Sequence, residues 1–217
     1  MHYKTILFDL DGTITDSGEG IINSVSYALK KMNLPITDKK KLYSFIGPPL
    51  NDSFRTFYQL DEGSVEQAVN YYRENYQLKG MYENHIYAGI VELLTTLKNA
   101  GCHMYIATSK PEVYAKQILD HFDLSGYFTG IYGASLDSKR SKKSDVIRYA
   151  LTSANIVELK EVVMIGDRSH DILGAKENHL ASIGVLYGFG DQAELETADA
   201  DYLAKTPAEI ATIILEE

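Results

Sequence analysis

The stretch Ile6-Leu7-Phe8-Asp9-Leu10-Asp11-Gly12-Thr13-Ile14-Thr15 decides the fold. Residues 4–10 form a short, nearly continuous apolar run, the pattern of a parallel strand buried on both faces. Such a run ends in two carboxylates only where the strand opens into a cleft. In doubly wound α/β sheets that place is the carboxyl end of the strand, where ligands bind. Asp9 and Asp11 are two apart, so on an ideal strand they share one face. Gly12 permits a tight turn, and Thr13 offers a hydroxyl and an amide to an anion. Two adjacent carboxylates need a reason not to repel, and a divalent cation is the usual one. Taken alone, Asp11-Gly12 is also a common turn signal.

Working outward, residues 21–32 read as a helix with Ile22, Val25, Ser26, Leu29 and Met32 on one face, ended by Leu34-Pro35. From there to about residue 84 only helical periodicity is found. Thr37-Asp38 is read as the cap of a short helix to Phe45, followed by a break at Gly47-Pro48-Pro49. A second helix carries Phe54, Phe57 and Tyr58 at helical spacing. A third opens with a capping box of Ser64 and Gln67 and buries Val65, Ala68, Val69, Tyr72 and Tyr76.

From Tyr87 helix and strand alternate. Ile90, Leu93, Leu94 and Leu97 form a helical stripe closed by Gly101. Strands are expected at 102–108, 128–132, 162–165 and 182–186, with an edge strand at Tyr202-Leu203. Helices are expected from Pro111 to about Phe122, over 144–154, after Gly166-Asp167 to about Asn178, and over 207–215. The alternation implies a parallel sheet with crossover helices. The expected architecture is a doubly wound, Rossmann-like α/β core of residues 1–14 and 85–217. A small all-helical domain, residues 15–84, is inserted after the first strand. Gly18, Gly20 and Gly89 are expected near the joints between the two.

Composition narrows the class. With 45% hydrophobic and 24% charged residues over 217 positions, the chain reads as an ordinary globular protein with one sizeable core. No window holds 18 uninterrupted apolar residues, so no membrane span is expected. Met1-His2-Tyr3-Lys4 runs straight into the first strand, so no signal peptide is expected. The single Cys102 fits a reducing cytosol and is read as a buried thiol. A cytoplasmic location is expected. A net charge of −9 argues against broad nucleic-acid binding. It leaves room for a small anion if the site supplies local positive charge. Of the basic clusters, Lys39-Lys40-Lys41 is read as a solvated face, and Lys142-Lys143 precedes a helix.

Three later strand ends carry polar groups: Thr108-Ser109-Lys110, Lys142-Lys143, and Gly166-Asp167-Arg168-Ser169-His170-Asp171. Each has a plain structural reading, as helix caps or a surface charge pair. Their order, each at a strand-to-helix junction, makes coincidence a poor explanation. The opening run resembles the first motif of the haloacid dehalogenase-like hydrolase superfamily, and with these three it resembles the four motifs of the superfamily's phosphatase branch. Asp9 and Asp11 match the first motif, Thr108 the second, Lys143 the third with Lys142 as a substitute, and Asp167 with Asp171 the fourth. Many relatives have Lys-Pro at the third motif, where Ser144 stands here. The position of the helical insert, and Ile46-Gly47-Pro48-Pro49-Leu50 within it, is similar to the phosphoglycolate phosphatase-like subgroup, whose members are variously phosphoglycolate phosphatases or nucleotidases.

The resemblance implies a Mg²⁺-dependent hydrolase of a small phosphorylated metabolite. Asp9 would be the nucleophile and Asp11 the acid–base. Asp9, Asp167 and the Asp11 carbonyl would hold Mg²⁺. Gly12, Thr13, Thr108, Ser109 and Lys143 would bind phosphate. Asp171 and His170 would stand behind these groups, and Arg55 and Lys110 would select an anionic substrate. Dehalogenation is disfavoured because Asp11 is present. A phosphosugar mutase is disfavoured because residues 14–30 contain no His. A non-catalytic phosphate-binding regulatory module is a further alternative, disfavoured because no carboxylate and no lysine is missing. Neither a nucleic acid nor a membrane is expected as partner, and the chain is expected to be a monomer or homodimer.

Overall fold

A computed structural model describes residues 3–36, 39–137 and 139–216, apart from the side chains of residues 39–41. The expected Thr37-Asp38 cap, the side chains of the Lys39-Lys40-Lys41 cluster and His2 lie outside the described residues. The elements, in chain order, are β1 (Thr5–Phe8), β2 (Thr15–Asp16), α1 (Gly18–Lys31), α2 (Leu50–Tyr58), α3 (Glu62–Leu78), β3 (His85–Ile86) and α4 (Ile90–Asn99). There follow β4 (His103–Pro111), α5 (Glu112–His121), β5 (Gly130–Ala134), α6 (Lys143–Ser153), β6 (Val162–Gly166) and α7 (Ser169–Glu177). The chain ends with β7 (Ala181–Val185), α8 (Gln192–Thr197), β8 (Tyr202–Ala204) and α9 (Pro207–Glu216). It divides into two compact units, residues 1–15 with 86–217, and residues 16–85.

The larger unit is built on a six-stranded sheet in the order β5-β4-β1-β6-β7-β8. Every pairing in it is parallel. Strand β1 is central because it is apolar on both faces: Ile6, Leu7 and Phe8 are wholly buried. Leu7 faces the side where Tyr105, Ala107, Val162 and Met164 meet Val146, Ile147 and Ala150 of α6 and Ala175 of α7. The period of two along β4 and β6 selects these residues for one face. Burying a side chain such as Leu7 or Met164 contributes about 1.5–3 kcal/mol, so this layer fixes where α6 and α7 begin. The starts of those helices and the ends of β1, β4 and β6 lie on the same edge of the sheet, as parallel strands with crossover helices require.

The smaller unit is helical. Val65, Ala68, Val69, Tyr72 and Tyr76 of α3 are buried, and α3 packs along α1. Close approach is secured at Gly20, where an added Cβ would stand 1.9 Å from the Gly80 carbonyl. The two segments by which the chain passes between units, β2 and β3, pair in a two-stranded sheet.

Several expectations are corrected. Strand β4 does not end at Thr108 but continues through a register shift to Pro111. Pro111 therefore precedes α5 rather than sitting inside its first turn. The N-cap of α3 is Asp61, whose side chain accepts from the Ser64 amide, so Ser64 is the third helical residue and not the cap. Of the aromatics at helical spacing on α2, Phe54 is buried and Phe57 half exposed. Helix α1 ends where Asn33 takes a positive φ of 55°, before Leu34-Pro35. Gly18 and Gly20 are buried residues of α1, which begins two residues after the unit boundary at Asp16. Helix α8 has no counterpart in the sequence reading. With Leu195 as its one buried residue, its six positions carry no helical stripe to detect. Among the described residues, no helix is long and apolar enough to cross a membrane.

Candidate active site

Asp9 follows β1 directly, and its backbone amide donates to the Ile165 carbonyl at 2.9 Å, extending the sheet ladder by one bond. The chain then turns. The amides of Thr13, Ile14 and Thr15 converge on the Leu10 carbonyl, and Gly12 donates to the Thr15 carbonyl at 2.8 Å. Gly12 adopts φ +82°, and a Cβ there would stand 2.1 Å from Asp167 Oδ2. Only glycine meets both conditions. The amides of Gly12 and Thr13 are thus engaged inside the turn. The Thr13 hydroxyl is buried with no hydrogen-bond partner.

The fourth motif is shaped by the same logic. A Cβ on Gly166 would meet the Asp171 carboxyl at 2.1 Å, so the missing side chain lets Asp171 lie against the end of β6. Asp171 Oδ2 accepts from the Arg168 amide at 3.1 Å, capping α7. Its Oδ1 lies 2.7 Å from Lys143 Nζ. The helix-cap reading and the site reading therefore coexist in one side chain.

Lys143 is the first residue of α6 and is buried. Its ammonium sits 2.8 Å from Asp9 Oδ1 and 2.7 Å from Asp171 Oδ1, as ion pairs without hydrogen-bond alignment, and donates to the Ala107 carbonyl at 3.1 Å. Gly174 of α7 leaves room for the lysine stem, its notional Cβ being 2.9 Å from Lys143 Cγ. Lys142, by contrast, is exposed at the N-cap of α6. Burial opposes the Lys143 charge, but Asp171 and Asp9 outweigh it and hold the ammonium above its ordinary pKa.

Oxygens of Asp9, Asp167 and Asp171 lie within 4.8 Å of one another, all three residues being buried. Burial, then the charges of Asp171 and Asp9, push Asp167 well above the ordinary carboxylate range. Burial likewise raises Asp171, to about 6, against the pull of Lys143. Asp167 Oδ2 accepts from the Phe189 amide at 2.7 Å, while Oδ1 has no hydrogen-bond partner. Three crowded carboxylates facing one ammonium, with a buried unpartnered oxygen among them, form an all-oxygen donor set of the kind a hard divalent cation takes.

Asp11 does not join this set. Its Oδ2 lies 2.9 Å from Lys110 Nζ. The two side chains thus face different lysines, Asp9 facing Lys143 and Asp11 facing Lys110. Thr108 is buried in β4 just before its register shift, its hydroxyl accepting from the Lys110 amide at 3.2 Å rather than capping α5. Ser109 is partly buried and His170 exposed. Arg55 lies in the other unit, where it pairs with Asp52 at 3.0 Å and Glu62 at 2.8 Å.

The loop after β7 is absent from the sequence reading, yet it closes the site. Besides the Phe189 amide on Asp167, the Tyr187 hydroxyl donates to the Thr13 carbonyl at 3.0 Å. A Cβ on Gly188 would meet the Gly12 carbonyl at 2.3 Å and Asp167 Cβ at 2.4 Å. Gly188-Phe189-Gly190 directly after an apolar strand was the available signal.

Gly12 and Gly101 offer a matched comparison, since both hold φ +82° but no atom lies within 4 Å of a Cβ at Gly101. Gly101→Ala is expected to cost about 1 kcal/mol of backbone strain. Gly12→Ala adds displacement of Asp167, with a further stability loss. Thermal unfolding of both variants checks this, and equal losses would contradict it.

The model of a haloacid dehalogenase-like hydrolase matches residues 6–185. The chain belongs to this family. A 5'-nucleotidase of Pseudomonas aeruginosa is 47% identical over 195 residues, covering 90% of this chain and 88% of the relative. Tyrosine-protein kinase PtkA of Mycobacterium tuberculosis is 38% identical over 210 residues, covering 96% of this chain and 68% of that one. Members named phosphoglycolate phosphatase match less closely, at 26% identity over 219 residues for that of Vibrio parahaemolyticus, with 97% and 96% covered. A solved structure of a predicted phosphatase from Clostridium acetobutylicum superposes with a TM-score of 0.96 at 49% identity, covering both chains completely. The haloacid dehalogenase-like fold, a parallel α/β sheet with a helical region after β1, is thereby established for this chain.

Proposed function

We propose that this haloacid dehalogenase-like hydrolase is a Mg²⁺-dependent phosphomonoesterase that passes the phosphoryl group through Asp9. The observation that carries the reading is the buried cluster of Asp9, Asp167 and Asp171 around a single lysine. The carboxylate of Asp9 attacks phosphorus. The ester P–O bond breaks, its electron pair stays on the leaving oxygen, and Asp11 supplies that oxygen with a proton. A water then attacks the aspartyl phosphate, returning a proton to Asp11 and freeing Asp9 with inorganic phosphate. Lys143 holds Asp9 in place and adds positive charge beside the transferring oxygens, and Thr108 lies on the adjacent strand before its register shift.

Asp9 and Asp167 would hold Mg²⁺, with the Asp11 carbonyl as a further donor and Asp171 orienting Lys143. When bound, the ion neutralises charge that would otherwise keep a phosphate dianion from these carboxylates. For the substrate, we infer a small phosphorylated metabolite. The 47% identity to a 5'-nucleotidase supports nucleoside monophosphates as the first class to assay, ahead of phosphoglycolate.

EDTA is expected to abolish p-nitrophenyl phosphate turnover and Mg²⁺ to restore it, with Ca²⁺ a poor substitute because its looser coordination misplaces the nucleophile. Full activity in chelator would contradict the metal assignment. Stability should follow. Asp171, raised to about 6, binds a proton in the folded chain at pH values where the unfolded chain has lost it. The metal-free protein therefore loses stability as pH rises from about 4 through about 6. Mg²⁺ removes that penalty, so its Tm increment should be larger at pH 8 than at pH 5. Equal increments would contradict the account.

A further inference from the structure

We propose that Lys110 is the positioning residue of the acid–base carboxylate, fixing Asp11 through Oδ2 so that Oδ1 is the oxygen that exchanges the proton. The inference rests on the phosphomonoesterase reading above. Lys110 Nζ lies 2.9 Å from Asp11 Oδ2, with the two side chains 4% and 14% exposed. Asp11 Oδ1 is buried and has no hydrogen-bond partner. One oxygen is tied and the other is left for the reacting group. A carboxylate free to rotate about χ2 would present its proton in the productive direction only part of the time. A charge-assisted bond to an ordered ammonium settles that orientation before substrate arrives.

The backbone explains why the ammonium is ordered. Strand β4 shifts register between Thr108 and Pro111, and a bulge of this kind re-aims side chains at the edge of a site. The Lys110 amide is held by Thr108 Oγ1 at 3.2 Å. Gly133 of β5 permits close packing there, its notional Cβ being 2.6 Å from the Lys110 carbonyl. Burying an ammonium costs several kcal/mol unless a counter-charge meets it, and Asp11 is that counter-charge. The β4 end thus delivers two groups, Thr108 and Lys110. Lys110, expected from the sequence to select an anionic substrate, has a different task through its pairing with Asp11. Through both half-reactions Lys110 keeps its own protons. The leaving oxygen takes the proton of Oδ1, and the attacking water returns one to it.

The test compares two esters. p-Nitrophenolate leaves without a proton, whereas the alkoxide of β-glycerol phosphate needs one. Lys110→Met is expected to lower kcat/KM for β-glycerol phosphate by about 30- to 100-fold and that for p-nitrophenyl phosphate by less than about threefold. In an Asp11→Asn background the same change should add less than about threefold on the alkyl ester. If the methionine variant does not fold, Lys110→Gln is measured in the same way. Equal losses on both esters, no loss on either, or a larger loss on the aryl ester would overturn the proposal, since a merely structural role moves both together. Wild-type protein inert on both esters, or Asp11→Asn with undiminished alkyl turnover, would instead overturn the phosphomonoesterase reading beneath it.

Discussion

Asp9→Asn is expected to lower kcat by at least about a thousandfold, more than about 4 kcal/mol of transition-state stabilisation, while leaving the fold intact. The carboxamide has the size of the carboxylate but neither its charge nor its nucleophilicity. The fold should survive because Asp9 caps no helix, and its backbone amide, not its side chain, makes the bond to Ile165. Lys143 keeps Asp171 and the Ala107 carbonyl as partners in this variant. Circular dichroism should be unchanged. Retention of more than a tenth of wild-type activity would remove Asp9 from the nucleophile's role.

Lys143→Met is expected to do damage of a second kind. The ammonium is the common partner of Asp9 and Asp171. Its removal leaves Asp9, Asp167 and Asp171 crowded and uncompensated. Removing one member of a buried ion pair costs about 3–5 kcal/mol, so denaturant midpoints should fall sharply in EDTA. Part of that loss should return with Mg²⁺, which binds the folded state alone. Turnover should fall by at least about a hundredfold even in saturating Mg²⁺, because the charge beside the transferring oxygens is gone. Lys142→Met, one residue away on the exposed N-cap, should change neither quantity measurably. Comparable losses in the two variants would mean that the wrong lysine has been identified.

The doubly wound core was legible because its strands are apolar on both faces and its helices carry clear stripes. Ile90, Leu93, Leu94 and Leu97 of α4 are all buried, as their spacing requires. Readings failed where local signals competed. Ser64 and Asp61 are both good caps, and only the backbone shows that Asp61 is used. Phe57 has the right spacing, but a nine-residue helix buries one narrow face, here Ser53 and Phe54. Motif residues were visible because carboxylates and glycines at strand ends are costly without a reason. The partners that hold them were not. That Lys110 reaches Asp11 depends on a register shift in β4, and that Phe189 reaches Asp167 depends on a loop whose donor is a backbone amide. Backbone donors leave no trace in residue types. The choice between Lys142 and Lys143 turns on where α6 begins, which periodicity places only to within a residue or two.

Covalent capture tests the central claim most directly. The wild-type protein is mixed with p-nitrophenyl phosphate and Mg²⁺, quenched in acid within its first turnovers, and treated with borohydride, which reduces an acyl phosphate to the alcohol. Peptide mass spectrometry should then find homoserine in place of aspartate at position 9, dependent on substrate and absent in EDTA. Reduction at another carboxylate, or an unmodified Asp9 in protein that is turning over substrate, would contradict phosphoryl transfer through Asp9.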